Sequence, residues 1–234
     1  MDMFSGIIQT TGRIVAIEPT PTGVRVRIDP RGGGGNWEHI PEPGSSVCVS
    51  GCCLTQVGTV GADGLLSFDA IPETLAKTIL GGLGPGDRVN LEPSVSASTP
   101  MDGHVVQGHV EGLGEVVKVV GGLGVEGECR VRIAPPVGLM PCMVPKGSVT
   151  VDGVSLTIAA VGTGGPQPGG EASQPAPFSV DPDQWFEVAL IPTTLEITTM
   201  GDLKVGSKVN LETDILARTV VHVMQHYAGL MGRG

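Results

Sequence analysis

Aromatic residues are nearly missing from this chain. Only 3% of its 234 residues are Phe, Trp or Tyr, and just one is Tyr. Glycine and proline are plentiful instead, at 37 and 19 residues. That balance argues against long helices and suits many short elements joined by turns. Basic residues are also scarce: 14 Lys and Arg stand against 24 Asp and Glu, for a net charge of −10. No basic run exists, which argues against nucleic acid and an anionic membrane as partners. No apolar run reaches the roughly 18 residues that a membrane-spanning helix needs. The opening "MDMFSGIIQTTG" lacks the positively charged n-region and the apolar core of a signal peptide, so it does not read as one, and a cytoplasmic location is expected. Cysteine occurs five times, an odd number that does not suit a disulfide framework. Cys48, Cys52 and Cys53 crowd together, but no CxxC pair and no spaced histidines accompany them. Neither a metal site nor a cofactor is expected.

What the chain does contain, it contains twice. "GSVTVDGVSLTI" (147–158) echoes "SSVCVSGCCLT" (45–55). At an offset of 102, Ser46, Val47, Val49, Gly51, Leu54 and Thr55 recur as Ser148, Val149, Val151, Gly153, Leu156 and Thr157. The same offset pairs "GIIQTTGRIVAI" (6–17) with "GHVEGLGEVVKV" (108–119). Downstream the offset grows to 120, where "IPETLAKTIL" meets "IPTTLEITTM" and "GDRVNLE" meets "GSKVNLE". The difference is an 18-residue insertion, placed by composition in the Gly/Pro/Ser-rich stretch 162–184. That stretch and a second one at 30–44 are predicted to be surface loops. Three matched blocks in one order indicate an internal duplication.

Each copy reads as about six short, alternating strands, mostly antiparallel by turn length. The expected fold is therefore all-β: two tandem six-stranded Greek-key barrels, at 1–99 and 100–212. Pro72 opens "PETLAKTIL" at a position favoured for the first helical residue, so a short helix is expected to plug the barrel. The tail, 213–234, is different. Leu216, Val220, Val223, Tyr227 and Leu230 recur at three-to-four spacing, as in an amphipathic helix. Little chain remains to cover its apolar face, so oligomerisation is expected.

The blocks "MFSGIIQTTG", "GCCLT", "DGHVVQGHVEGLG", "KGSVTVDGVSLT", "IPTTLEITTM" and "VNLETDILAR" together make the chain resemble the riboflavin synthases. The resemblance runs nearly end to end, with one set of motifs per half. It implies a homotrimer that dismutates two molecules of 6,7-dimethyl-8-ribityllumazine. One molecule donates a four-carbon unit and the other accepts it, giving riboflavin and 5-amino-6-ribitylamino-uracil. Two copies of one substrate call for two similar pockets held face to face, with alignment supplying much of the rate. In the resemblance those facing pockets come from neighbouring subunits. Association with a lumazine synthase is left open.

Donor and acceptor pockets must differ, and the two copies differ at Cys53 against Ser155 and at Ile7 against His109. Without the resemblance, Cys53 reads as a small strand hydrophobe and Ser155 as a satisfied hydroxyl. With it, Cys53, His109, Ser155 and Asp214 become the candidate catalytic residues. His109 is a residue type suited to proton transfer from the acidified methyl group of a lumazine, and is preferred to His104. Asp214 also reads as the N-cap of the tail helix. Cys52 should face away from Cys53 by strand alternation. Thr55 and Thr157 share the strand faces of Cys53 and Ser155 and can hydrogen-bond a ring edge. Gly108, like Gly6 in the other copy, allows close backbone approach. The resemblance adds Phe4, Ser46, Lys146 and Thr194 as substrate-binding candidates, with Phe4 near a partner subunit's ligand.

Two other readings compete. A non-catalytic lumazine- or flavin-binding protein shares the fold, but this chain keeps Cys53, His109, Ser155 and Asp214 and both sets of ligand motifs. A flavin reductase would need a nicotinamide domain, and no GxGxxG opens a helix here.

Overall fold

The structure is a computed structural model that describes residues 3–122, 124, 127–163 and 180–231. The first repeat holds β1 (Thr10–Thr20), β2 (Gly23–Asp29), β3 (Ser46–Val49), β4 (Cys52–Thr55), β5 (Leu66–Ala70), α1 (Pro72–Lys77) and β6 (Arg88–Pro93). The second holds β7 (Gly112–Val120), β8 (Cys129–Ala134), β9 (Ser148–Val151), β10 (Val154–Thr163), β11 (Gln184–Leu190), α2 (Pro192–Ile197) and β12 (Lys208–Thr213). A last helix, α3 (Ile215–Met231), follows. Strand order is the same in both: β4-β3-β6-β1-β2-β5 in the first and, in matching positions around the second, β10-β9-β12-β7-β8-β11. The repeat extends to irregularities. β1 shifts register between Ile14 and Ala16, and β7 does so between Val116 and Lys118, bending each strand around its barrel.

The second repeat is a closed barrel, because β10 runs on past β9 to pair with β11. In the first, β4 ends at Thr55, and the edges of the sheet meet through one bridge, Gln56 with Phe68. The Gln56 side chain reinforces that seam by accepting from the Ser67 N–H at 3.1 Å. Gly162 and Thr163 are paired strand, opposite Trp185 and Gln184, so the loop expected at 162–184 is strand at both ends. Its middle, 164–179, lies outside the described residues. The stretch 30–44 has no strand or helix, as expected.

Alternation puts Val, Ile, Leu and Phe inside each barrel. The helix α1 buries no residue of its own. Leu75 of α1 and Leu80 in the 3₁₀ turn that follows it pack on the first core, as Leu195 of α2 and Met200 do in the second. The plug expected of "PETLAKTIL" therefore includes Leu75 of the helix and Leu80 of the turn after it.

The repeats meet about an approximate two-fold axis. The β3–β4 turn (Ser50, Gly51) and the β9–β10 turn (Asp152, Gly153) all have positive φ, between 44° and 84°, the tight hairpin turn that favours Ser-Gly and Asp-Gly. They press together so closely that a Cβ on Gly51 would stand 2.9 Å from the Gly153 nitrogen. Two buried asparagines lock the contact reciprocally. Asn90 donates to the Asp152 carbonyl at 2.8 Å, and Asn210 to the Ser50 carbonyl at 2.7 Å. Asn90 accepts from the Thr199 N–H and Asn210 from the Ile79 N–H, both at 2.8 Å. No helix among the described residues is long and apolar enough to cross a membrane.

Candidate functional site

Strand alternation turns Cys52 and Leu54 into the first barrel and Cys53 and Thr55 away from it. Of the five free cysteines, only Cys53 is not buried. Register aligns it with Cys48 on β3, and Thr55 with the buried Ser46. Burial pushes the Cys48 thiol far up and the Cys52 thiol to about 12, so both stay protonated. The corresponding outer row of the second barrel is Thr157 and Ser155 on β10 facing Ser148 and Thr150 on β9.

A strap from the other repeat covers each row. The chain ahead of β7 crosses to β4, where the Gly108 carbonyl accepts from Cys53 N–H at 2.8 Å. The chain ahead of β1 crosses to β10, where the Gly6 carbonyl accepts from Ser155 N–H at 2.8 Å. Both glycines are left-handed, with φ of 76° and 74°, and a Cβ on either would lie 2.6 Å from the Cβ of Ser155 or Cys53. Only glycine fits there. The two straps also pair with each other, Phe4 with Val106, by bonds of 2.8 and 3.0 Å.

Beside Cys53 this leaves a cleft of about 290 Å³ lined by Cys52, Cys53, Gly108, His109, Val110 and the α1 face from Ile71 to Thr78. Glu73 and Lys77 pair across its rim at 2.8 Å. By repeat correspondence, Ile7, Thr193, Thr194 and Ile197 stand in the second copy of this arrangement where the first has His109, Glu73, Thr74 and Lys77. One site is thus rimmed by charge and the other by apolar and hydroxyl groups.

Ser155 is not joined by His109. Its Oγ lies 2.7 Å from Nδ1 of His104, whose Nε2 lies 3.2 Å from Thr150 Oγ1. Burial lowers the His104 pKa and outweighs the opposing field of Asp214, so the ring is neutral near pH 7. The strap crossing puts His109 with Cys53 and His104, which the sequence reading ranked below His109, with Ser155. His104 stands in the link between repeats and has no counterpart among the matched blocks, so the duplication draws attention away from it.

The other sequence candidates are dispersed. Asp214 caps α3, accepting from Leu216 N–H at 2.8 Å, and its charge reaches His104. Phe4 is fully buried with Cys48 and Val106. Lys146 is exposed in a left-handed turn before β9, at the position of Gly44 in the first repeat. Thr194 lies on α2, half-buried. Two groups that sequence reading passed over are the buried carboxylates Glu92 and Glu212, each at the end of "VNLE". Among the described residues, no group of three or more His, Cys, Asp or Glu side chains is placed to hold a metal ion.

The lumazine binding domain family matches this chain twice, at 5–94 and 107–214. A riboflavin synthase of Mycobacterium tuberculosis is 37% identical over 223 residues, covering 95% of this chain and 98% of its own. One from Brucella abortus is 34% identical over 231 residues, covering 96% and 99%. Among solved structures, LumP complexed with riboflavin superposes with a TM-score of 0.67 at 25% identity, covering 90% of this chain and 99% of its own. With two lumazine-binding repeats and full-length relatives of this kind, the chain belongs to the riboflavin synthase family.

Proposed function

We propose that the rows at Cys53 and Ser155 are the two lumazine sites of a riboflavin synthase and that their difference assigns donor and acceptor roles. The observation that carries this reading is the pair of crossed sites, alike in backbone and unlike in side chains. In each, a left-handed glycine of the strap lies against a strand whose outward residues are Cys53 and Thr55 or Ser155 and Thr157. A flat bicyclic ring fits beside such a strand, with hydroxyls of Thr55, Thr157 and Thr194 at its edges and Ser46 and Lys146 toward the ribityl chain. At the second site, neutral His104 holds the Ser155 hydroxyl at 2.7 Å. Ser155 Oγ can pass a proton to Nδ1 as a methyl group of the bound lumazine gives one up, and the resulting carbanion is delocalised into the ring. At the first site, Cys53 and His109 flank the ligand that gives or receives the four-carbon unit.

The straps stand between the two sites of one chain. The reacting pair of lumazines is accordingly assembled between chains, in a homotrimer held by α3. That helix exposes Leu216, Val220, Val223, Met224 and Tyr227. Five free cysteines suit a reducing cytoplasm. The rival is a binder without turnover, and LumP structures share the fold. Incubation with 6,7-dimethyl-8-ribityllumazine alone separates the two. Riboflavin and 5-amino-6-ribitylamino-uracil in equal amounts support the enzyme. Tight binding with no product rejects it.

A further inference from the structure

Each strap is gripped by one buried carboxylate, and the grip is crossed. Glu92, on β6 of the first repeat, accepts from the Ser5 N–H and hydroxyl at 2.7 Å and from the Gly6 N–H at 3.0 Å. Glu212, on β12 of the second repeat, accepts from the Gln107 N–H at 2.7 Å and the His109 N–H at 2.9 Å. Glu92 is 3% exposed and Glu212 2%. Such carboxylates are costly to bury unless their oxygens are occupied, and here strap N–H groups occupy them. The strap held by Glu212 does not serve its own barrel. It lies on Cys53 of the first, while the strap held by Glu92 lies on Ser155 of the second.

We infer that Glu212 is the positioning residue of the Cys53 site and Glu92 that of the Ser155 site, so that each barrel builds the ligand site of the other. This rests on the proposed lumazine sites only for the ligand; the crossing itself is geometric. A carboxylate accepts with both oxygens. Glutamine keeps one acceptor and turns an NH₂ toward the other strap N–H. The strap should then lift from its strand in a local opening, leaving both barrels folded. The charge is essential to this, so aspartate, one methylene shorter, should retain part of the grip.

The test uses Cys53 as a built-in reporter, because it is the only cysteine not buried. Full-length wild type, Glu212→Gln, Glu212→Asp and Glu92→Gln are alkylated with iodoacetamide, with and without riboflavin. Labelling of Cys53 is followed by peptide mass spectrometry, and circular dichroism checks folding. Glu212→Gln should speed Cys53 labelling about 10-fold or more, the factor expected for one lost charged hydrogen bond. It should also abolish protection by riboflavin, with Glu212→Asp in between. Glu92→Gln should leave Cys53 labelling at the wild-type rate while lowering turnover. Unchanged labelling in Glu212→Gln, or equal acceleration by both glutamine variants, overturns the crossed assignment. If Glu212→Gln does not fold, the comparison of Glu212→Asp with Glu92→Gln decides by the same two outcomes. Wild-type Cys53 that riboflavin fails to protect counts against the proposed ligand site, while the ligand-free rates still judge the crossing.

Discussion

Ser155 and His104 make a hydroxyl–imidazole pair at 2.7 Å, with the far ring nitrogen held by Thr150. At the Cys53 site, His109 contributes a backbone N–H held by Glu212 and a side chain on the cleft wall. Losing the hydroxyl should therefore cost more than losing the thiol. Ser155→Ala is expected to lower kcat about 100-fold with a modest change in lumazine affinity, and Cys53→Ala to be milder. Single-turnover conversion, with bound lumazine measured separately, checks this; wild-type turnover in Ser155→Ala would remove Ser155 from the chemistry. Asp152 poses a different question. It stands where the first repeat has Ser50, in the buried turn contact, and burial raises its pKa to about 7 although Asn210 N–H donates to it. The folded chain keeps this proton up to about pH 7, whereas an unfolded chain releases it near pH 4. Between those values the native state binds more protons, so this group's contribution to stability falls as pH rises and levels off above 7. Asp152→Asn keeps an acceptor for Asn210 and removes the loss. Its advantage over wild type should grow from pH 4.5 to 7 and reach on the order of 2–4 kcal/mol at pH 8. Urea melts at three pH values measure it, and a difference independent of pH would contradict the cause.

Among the elements, the strands and their duplication were legible because alternation and glycine turns are local signals. Val47, Val49 and Leu54 point inward and Cys53 and Thr55 outward, as period-two reading requires. The two Greek-key units follow from that pattern and from the spacing of turns. What was not legible is long-range pairing. Nothing in "MFSGII" or "HVVQGH" says that each segment leaves its own barrel. The crossing arises only when left-handed Gly6 and Gly108 meet strands of the opposite repeat, a contact between residues distant in the chain. For that reason the sequence does not show that His109 belongs with Cys53 and His104 with Ser155. The buried glutamates were invisible for a related reason. In "VNLE" the Glu follows an apolar strand and reads as its exposed end, and only the strap N–H groups explain its burial. The incomplete closure of the first sheet also escaped notice. It depends on where β4 stops, and element ends are weakly marked in sequence.

At the scale of the whole molecule, α3 would link the proposed assembly to the site. Arg218 on this helix meets Glu111 at 2.6 Å and Gln107 at 2.7 Å, and Gln107 to Glu111 is the strap that lies on Cys53. The opposite side of α3 offers Leu216, Val220 and Val223 to solvent, at 73%, 57% and 46% exposure. Leu230, expected on the same stripe, has a side chain outside the described residues. Burying a Val or Leu side chain contributes about 1.5–3 kcal/mol, so a few of these are enough to hold copies of the chain together. Removing 215–234 would test the proposed trimer poorly, because it also deletes Arg218 and loosens the strap within one chain. Val220→Glu is cleaner: it charges the exposed stripe and leaves Arg218, Glu111 and both barrels intact. The variant should sediment as a folded monomer, keep riboflavin protection of Cys53 and lose turnover, since the two proposed sites of a lone chain lie on separate sides of the straps. Sedimentation velocity and product formation on the same samples decide. A Val220→Glu monomer that converts lumazine at the wild-type rate would show that the reacting pair forms within one chain.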